Sequence, residues 1–260
     1  MDRRRALVST LSTAGFVAPE EEANELLARA GGDGALLRAL VARRLTGEPL
    51  AWITGRTTFC DLEIRVDPGV YVPRWQSEQL ARRAVELLPP SGTAVDLCTG
   101  TGAIARTLQA AHPQDGADGA QVMATDKDDR AVACARANGV EAYCGDLFAP
   151  LPGPLEGRVD VVVAVVPYVP TAALALLQRD TLTFESPLSY DGGPDGTDIL
   201  RRVLTESPRY LRPGGRVLLE LGGEEADALS GELSRLGYVD VAVLLDDDDD
   251  VRGLEATWSS

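Results

Sequence analysis

From residue 93 onwards, short apolar runs alternate with amphipathic stretches. The runs 94–97, 122–125, 141–143, 159–166 and 217–221 have strand length and are bounded by turn residues. Residues 103–111, 130–138, 197–211 and 224–236 instead carry apolar positions at helical spacing. Alternation of this kind predicts a parallel sheet with helices on both faces. The end of the chain breaks the rule. Residues 238–245 and 253–258 are two strand-like runs joined by a short loop, which predicts an antiparallel hairpin. The expected fold is α/β, a Rossmann-like, seven-stranded, mostly parallel sheet closed by a C-terminal antiparallel hairpin.

The first part of the chain has a different rhythm. Leu7, Leu11, Phe16, Ala23, Leu26, Leu27 and Ala30 recur at roughly helical spacing. Gly31-Gly32-Asp33-Gly34 interrupts the pattern, Leu36 to Arg44 resumes it, and Gly47-Glu48-Pro49 ends it. So short a segment holds little core alone, and it reads as a helical cap packed on the rest of the chain. Residues 52–55, 58–60 and 62–66 then alternate as strands do, with turns at Gly55 and Asp67-Pro68-Gly69. The expected organisation is a small N-terminal helical domain (1–47), a β-hairpin linker (48–75) and the large α/β domain (76–260), which opens with a helix over 77–88.

Composition narrows the function classes. Hydrophobic residues make up 45% of the 260, ordinary for a chain with a sizeable core. No apolar run approaches the roughly eighteen residues of a membrane span, so no membrane contact and a cytoplasmic location are expected. The net charge of −15 disfavours extended contact with nucleic-acid phosphate. The aspartate run 246–250 contributes to it and reads as a solvated loop between two strands. Cys60, Cys98, Cys134 and Cys144 form no C-x-x-C pair, and His112 is the single histidine, so neither a metal site nor a disulfide framework is expected. No coiled coil or sticky strand announces a partner, and the oligomeric state stays open.

The chemistry concentrates where strands end. Asp96-Leu97-Cys98-Thr99-Gly100-Thr101-Gly102 joins the first strand of the large domain to a helix. Glycines there let backbone and ligand approach closely, and the helix start offers unpaired N–H groups. The loop is neither a G-x-G-x-x-G pattern nor a P-loop. The second strand ends in Asp126, placed to accept hydrogen bonds from ribose hydroxyls. The third is followed by Gly145-Asp146-Leu147, where a carboxylate could meet an adenine amino group.

This arrangement resembles the class I S-adenosylmethionine-dependent methyltransferases, and more narrowly the HemK-like glutamine-N5 methyltransferases that modify peptide-chain release factors. The resemblance spans nearly the whole chain. Gly47-Glu48-Pro49-Leu50-Ala51-Trp52-Ile53-Thr54-Gly55 with Phe59 is similar to that family's linker motif, and Val72-Pro73-Arg74 to its I-P-R segment. Phe184-Glu185-Ser186-Pro187 is similar to its H/Y-E-P stretch, Ser189 to Gly196 to its L-x-G-G-x-D-G turn, and Leu211-Arg212-Pro213-Gly214-Gly215 to the turn before strand five. The resemblance implies S-adenosylmethionine as cofactor. Its expected contacts are Asp96, Cys98, Thr99, Gly100, Gly102, Asp126, Lys127, Asp146, Leu147, Val165, Pro73 and Arg74.

The acceptor side departs from the pattern. The family's Asn-Pro-Pro-Tyr stands here as Val165-Val166-Pro167-Tyr168. In the family that asparagine and a backbone carbonyl hold the substrate amide. Valine neither donates nor accepts, and a buried polar group left without its partner costs roughly 1–3 kcal/mol. Cys98 stands where the loop's first glycine is expected, and Val72-Pro73-Arg74-Trp75-Gln76-Ser77-Glu78 adds a tryptophan. Tyr168, Val165, Glu185 and Ser77 are the expected catalytic residues, and Tyr71 or Trp75 could face the sulfonium. A retained cofactor site beside an altered acceptor site points to methyl transfer onto an unidentified small-molecule or peptide acceptor, such as a specialised-metabolite intermediate. Three other readings stay open: cyclisation of S-adenosylmethionine with release of methylthioadenosine, glutamine-N5 methylation of a protein, and cofactor binding without catalysis.

Overall fold

A computed structural model describes residues 3–113, 119–177 and 183–259. Three helices come first: α1 (Arg3–Thr13), α2 (Pro19–Ala30) and α3 (Gly34–Arg44). Asp33 caps α3 by accepting from Ala35 N at 2.7 Å and Leu36 N at 3.1 Å. Their apolar faces bury Leu7, Leu11, Ala23, Leu26, Ala30, Leu37 and Leu40 around Ile53.

Ile53 belongs to a helical turn, α4 (Leu50–Thr54), where the alternating pattern predicts a strand. The correction has a packing reason. Ile53 faces the first three helices, whereas Trp52 packs with Val66, Val72 and Phe184 and donates its indole N–H to Val70 O at 2.9 Å. One helical turn serves both clusters, and Gly55 ends it at a φ of 81°. The expected hairpin comes next as β1 (Arg56–Phe59) and β2 (Leu62–Arg65), with Cys60 and Asp61 at positive φ between them.

After α5 (Glu78–Leu87) the chain builds a seven-stranded sheet. Its strands are β3 (Thr93–Leu97), β4 (Gln121–Asp126), β5 (Glu141–Cys144), β6 (Val159–Ala164), β7 (Leu211–Glu220), β8 (Tyr238–Leu245) and β9 (Val251–Trp258). The helices α6 (Ala103–Ala111), α7 (Asp129–Ala137), α8 (Asp198–Glu206) and α9 (Gly223–Arg235) connect them. The spatial order is β5-β4-β3-β6-β7-β9-β8, with the first five strands parallel and β9 antiparallel to both neighbours. The chain runs outward from β3 to β5, then crosses back to lay β6 on the other side of β3. Ligands of such sheets sit at this reversal, outside the carboxyl ends of the strands. Residues 161–164 of β6 are wholly buried, as expected for a central strand covered on both faces.

Glu255 of β9, 3% exposed, is held by Arg83 of α5 at 2.6 Å and Arg216 of β7 at 2.6 Å, which locks the hairpin to the sheet. In the turn before β9, Asp246 accepts from the backbone N–H groups of Asp248 and Asp250, both at 3.0 Å, and pairs with Arg252. The outermost strand holds an unexpected feature. Val239, Val241, Val243 and Leu245 of β8 are 41–47% exposed, an apolar strip that the sequence pattern alone does not flag. Among the described residues, no helix is long and apolar enough to cross a membrane.

Candidate active site

The loop after β3 is organised by two carboxylates. Asp96, 1% exposed, accepts from Thr99 Oγ1 at 2.5 Å and from Ala105 N at 3.1 Å, tying the strand end to the first turn of α6. Burial outweighs these bonds and pushes its pKa up to about 7. Asp126, at the end of β4, accepts from Gly100 N through Oδ2 and from Asp128 N through Oδ1, both at 2.9 Å. Burial raises this carboxyl as well, against the pull of the same bonds.

The loop glycines have different jobs. A Cβ on Gly102 would lie 2.9 Å from Val140 Cγ2 and 3.0 Å from Ala135 Cβ, so that glycine lets the loop pack on α7 and the residues after it. A Cβ on Gly100 would meet nothing nearer than the carbonyl of Tyr71 at 3.9 Å, which leaves that side of the loop open. Cys98 takes a φ of 56°, the left-handed region that favours glycine. Burial pushes its thiol pKa up, so it stands protonated rather than as a reactive thiolate.

The remaining expected cofactor contacts are dispersed around this core. Lys127 is exposed. Leu147 is buried at a φ of 45°. Asp146 is exposed and grips Arg202 of α8 through both oxygens, at 3.1 and 3.0 Å, which holds its carboxyl below the usual range. That partner is invisible in the local sequence, since 56 positions separate the two residues.

The acceptor-side residues separate into two groups. Tyr168, past the end of β6, donates to Glu220 Oε1 at 3.3 Å across the ends of β6 and β7. Ser77 is buried beside Glu220, and its hydroxyl and that of Tyr168 favour the carboxylate, while burial raises its pKa overall. Tyr168 and Glu220 border a cavity of about 340 Å³ whose wall also includes Tyr71, Arg74, Gln76 and Arg252, while Ser77 is not part of that wall. Glu185 lies outside that wall. It is 4% exposed and accepts from Val72 N at 3.2 Å, Arg74 Nη2 at 2.7 Å and the Tyr190 hydroxyl. It therefore clamps the linker, with half-buried Pro73 between its two anchor points. Trp75 is 70% exposed, and Tyr71 is the aromatic that faces the cavity.

Backbone packing fixes the position of Tyr168. A Cβ on Gly192 would fall 2.7 Å from Tyr168 Cα, and one on Gly196 would fall 2.3 Å from Tyr168 O. The 189–196 turn thus lies directly on the Pro167-Tyr168 backbone, joined to it by Val169 N to Tyr190 O at 2.8 Å and Gly192 N to Val169 O at 2.9 Å. Val165 is half-buried and packs into the apolar layer on the α5 and α6 side. Glu220, Gln76 and Arg202 were not among the residues that the sequence pattern singles out. Glu220 had one available signal, a charged residue closing the apolar run Val217-Leu218-Leu219 at a carboxyl strand end.

Comparison with known proteins settles the family. A protein of Geobacter sulfurreducens named release factor glutamine methyltransferase is 36% identical over 212 residues, covering 79% of this chain and 72% of that one. One of the same name from Cereibacter sphaeroides is 32% identical over 270 aligned positions, covering 94% and 93%. The chain belongs to the release factor glutamine methyltransferase family. No family model matches the chain. The solved complex of Mtq2 and Trm112 from E. cuniculi, responsible for methylation of the eRF1 translation termination factor, is similar in fold. Its TM-score is 0.52 at 21% identity, covering 74% of this chain and 99% of that one. The ribosomal protein L11 methylase of Lactobacillus delbrueckii subsp. bulgaricus has a TM-score of 0.52 at 20% identity, covering 78% and 90%.

The chain is a methyltransferase with S-adenosylmethionine as cofactor. The open side of Gly100 and the strand-end carboxylate of Asp126 fit a nucleoside-bearing ligand. Family membership also overturns one expectation. An unidentified small-molecule acceptor, such as a specialised metabolite, gives way because these relatives are named for a protein glutamine. The tetrad Val165-Val166-Pro167-Tyr168 carried that expectation.

Proposed function

We propose that this enzyme methylates the side-chain amide nitrogen of a glutamine in a translation release factor. The observation that carries the reading is the 36% identity, over most of both chains, to a protein named for that reaction. Acting on a translation factor places the enzyme in the cytoplasm. In this reading residues 1–47 form a helical domain, 48–75 the linker and 76–260 the transferase domain.

Bound S-adenosylmethionine supplies an electrophilic methyl group. The chain's own residues do the rest. Asp126 would receive the ribose hydroxyls, each carboxylate oxygen keeping a lone pair beyond the backbone N–H it already accepts. Asp96, Thr99, Gly100 and Gly102 would shape the loop against the ligand, with Cys98, Leu147 and Val165 as apolar neighbours. Asp146 and Lys127 would border the base end, Asp146 sharing its carboxylate with Arg202. Pro73 and Arg74, clamped by Glu185, would close the site from the linker. The cavity lined by Tyr168 and Glu220 would take the glutamine, so that its nitrogen meets the methyl in line, with buried Ser77 holding the Glu220 carboxylate.

Val165 stands where the family pattern has asparagine, which makes this a divergent member with another amide-holding group. Incubating the enzyme with a release factor and S-adenosylmethionine tests the reading by mass spectrometry. One methyl on a glutamine, matched by adenosylhomocysteine, is the expected outcome. Methylthioadenosine without methylated factor, or tight cofactor binding without turnover, would overturn it.

A further inference from the structure

The cavity at the ends of β6 and β7 has a chemical bias. Glu220 is 7% exposed, and its Oε2 is buried with no hydrogen-bond partner. Oε1 receives the Tyr168 hydroxyl and the Ser77 hydroxyl lies beside the carboxylate, but among the described residues no donor reaches Oε2 with hydrogen-bonding geometry. The two guanidinium groups on the same wall are engaged elsewhere, Arg74 with Glu185 and Arg252 with Asp246. Gln76 also leaves Oε1 unpaired, but an amide can turn over, so the carboxylate is the fixed acceptor. A buried orphan of this kind is rare and calls for a donor from outside the chain.

The cavity also lies beside the cofactor loop. Tyr71 lines it, and the Tyr71 carbonyl is the nearest atom to the open side of Gly100. A group held there stands close to where a ligand of that loop would sit. Val165 cannot hold an amide, because it has no polar side-chain atom, and it packs into the apolar layer instead.

We infer that Glu220 supplies what Val165 lacks: its free carboxylate oxygen accepts a hydrogen bond from the primary amide of the substrate glutamine. This rests on the proposed reaction for the identity of the substrate, but the recognition itself is a binding property. A carboxylate acceptor also gives selectivity. It attracts the N–H of glutamine and repels a glutamate side chain at the same position.

The test is calorimetric titration of the adenosylhomocysteine-loaded enzyme with a release-factor peptide carrying the glutamine to be methylated and with its glutamate counterpart. The wild type should bind the glutamine peptide at least tenfold more tightly. Glu220→Ala should reduce that preference to about twofold or less, with adenosylhomocysteine affinity and far-ultraviolet circular dichroism unchanged. Glu220→Gln should keep glutamine binding and relieve the rejection of glutamate. The inference is overturned by no preference in the wild type, or by a preference that survives in both variants. It is equally overturned if Glu220→Ala weakens adenosylhomocysteine and not the peptide, since Glu220 would then serve the cofactor's amino group. Mass spectrometry of the release factor separates the two ideas. Methylation with a preference indifferent to Glu220 sinks only the inference, whereas a Glu220-dependent preference without methylation sinks the proposed reaction.

Discussion

At the scale of single residues, two carboxylates that hold one loop do different work. Asp96 is sealed, and its folded pKa of about 7 lies above its value in the unfolded chain. Its contribution to stability is therefore full below about pH 4 and is lost as pH rises through about 7, by at most about 1.4 kcal/mol per pH unit. Asp96→Asn should remove that slope. Urea denaturation between pH 4 and 8 should show the wild type losing ground relative to the variant, and parallel curves would contradict the assignment. Asp126 is half-buried beside the open face of Gly100. Asp126→Ala should weaken S-adenosylmethionine binding about tenfold or more, since charged hydrogen bonds are lost. Unchanged affinity by calorimetry would count against it.

At the scale of elements, close backbone contact builds the acceptor side. Gly196 combines a φ of 78° with a Cβ position 2.3 Å from Tyr168 O, so Gly196→Ala must push the turn off Pro167-Tyr168. The expected cost is roughly 1–3 kcal/mol. Thermal melting should show the loss, and kinetics should show a raised KM for the proposed release-factor substrate. Gly157→Ala is the control: a φ of 67° but nothing within 4 Å of the added Cβ, so a smaller loss and no kinetic effect are expected. The sequence marked this turn only through its resemblance to the family's L-x-G-G-x-D-G pattern, whereas it marked the 96–102 loop through that loop's own glycines. It misassigned 52–54 because a two-residue alternation and one helical turn look alike over so short a run. Only the two separate clusters around Ile53 and Trp52 distinguish them.

At the scale of the whole molecule, Trp52 ties α4 to the linker and to the segment that carries Phe184. It is 7% exposed, meets the Phe184 ring edge-on at a centroid distance of 6.3 Å, and bonds to Val70 O. Trp52→Ala should cost about 3–5 kcal/mol, read as a lower denaturation midpoint. A loss below about 1 kcal/mol would mean that α4 is held to the linker by other residues.

The sequence by itself determined the α/β alternation, the closing hairpin, the loop from Asp96 to Gly102 and the strand-end acid Asp126. These come from local periodicity and from glycines and carboxylates at fixed offsets, which a chain displays without folding. Tertiary structure alone decided which groups are free. Asp146 proved to be paired with Arg202, Glu185 to be a clamp on the linker, and Glu220 to carry a buried oxygen without a partner. Each depends on residues brought together across strand ends or from distant segments, and hydrogen-bond satisfaction is a property of neighbours in space.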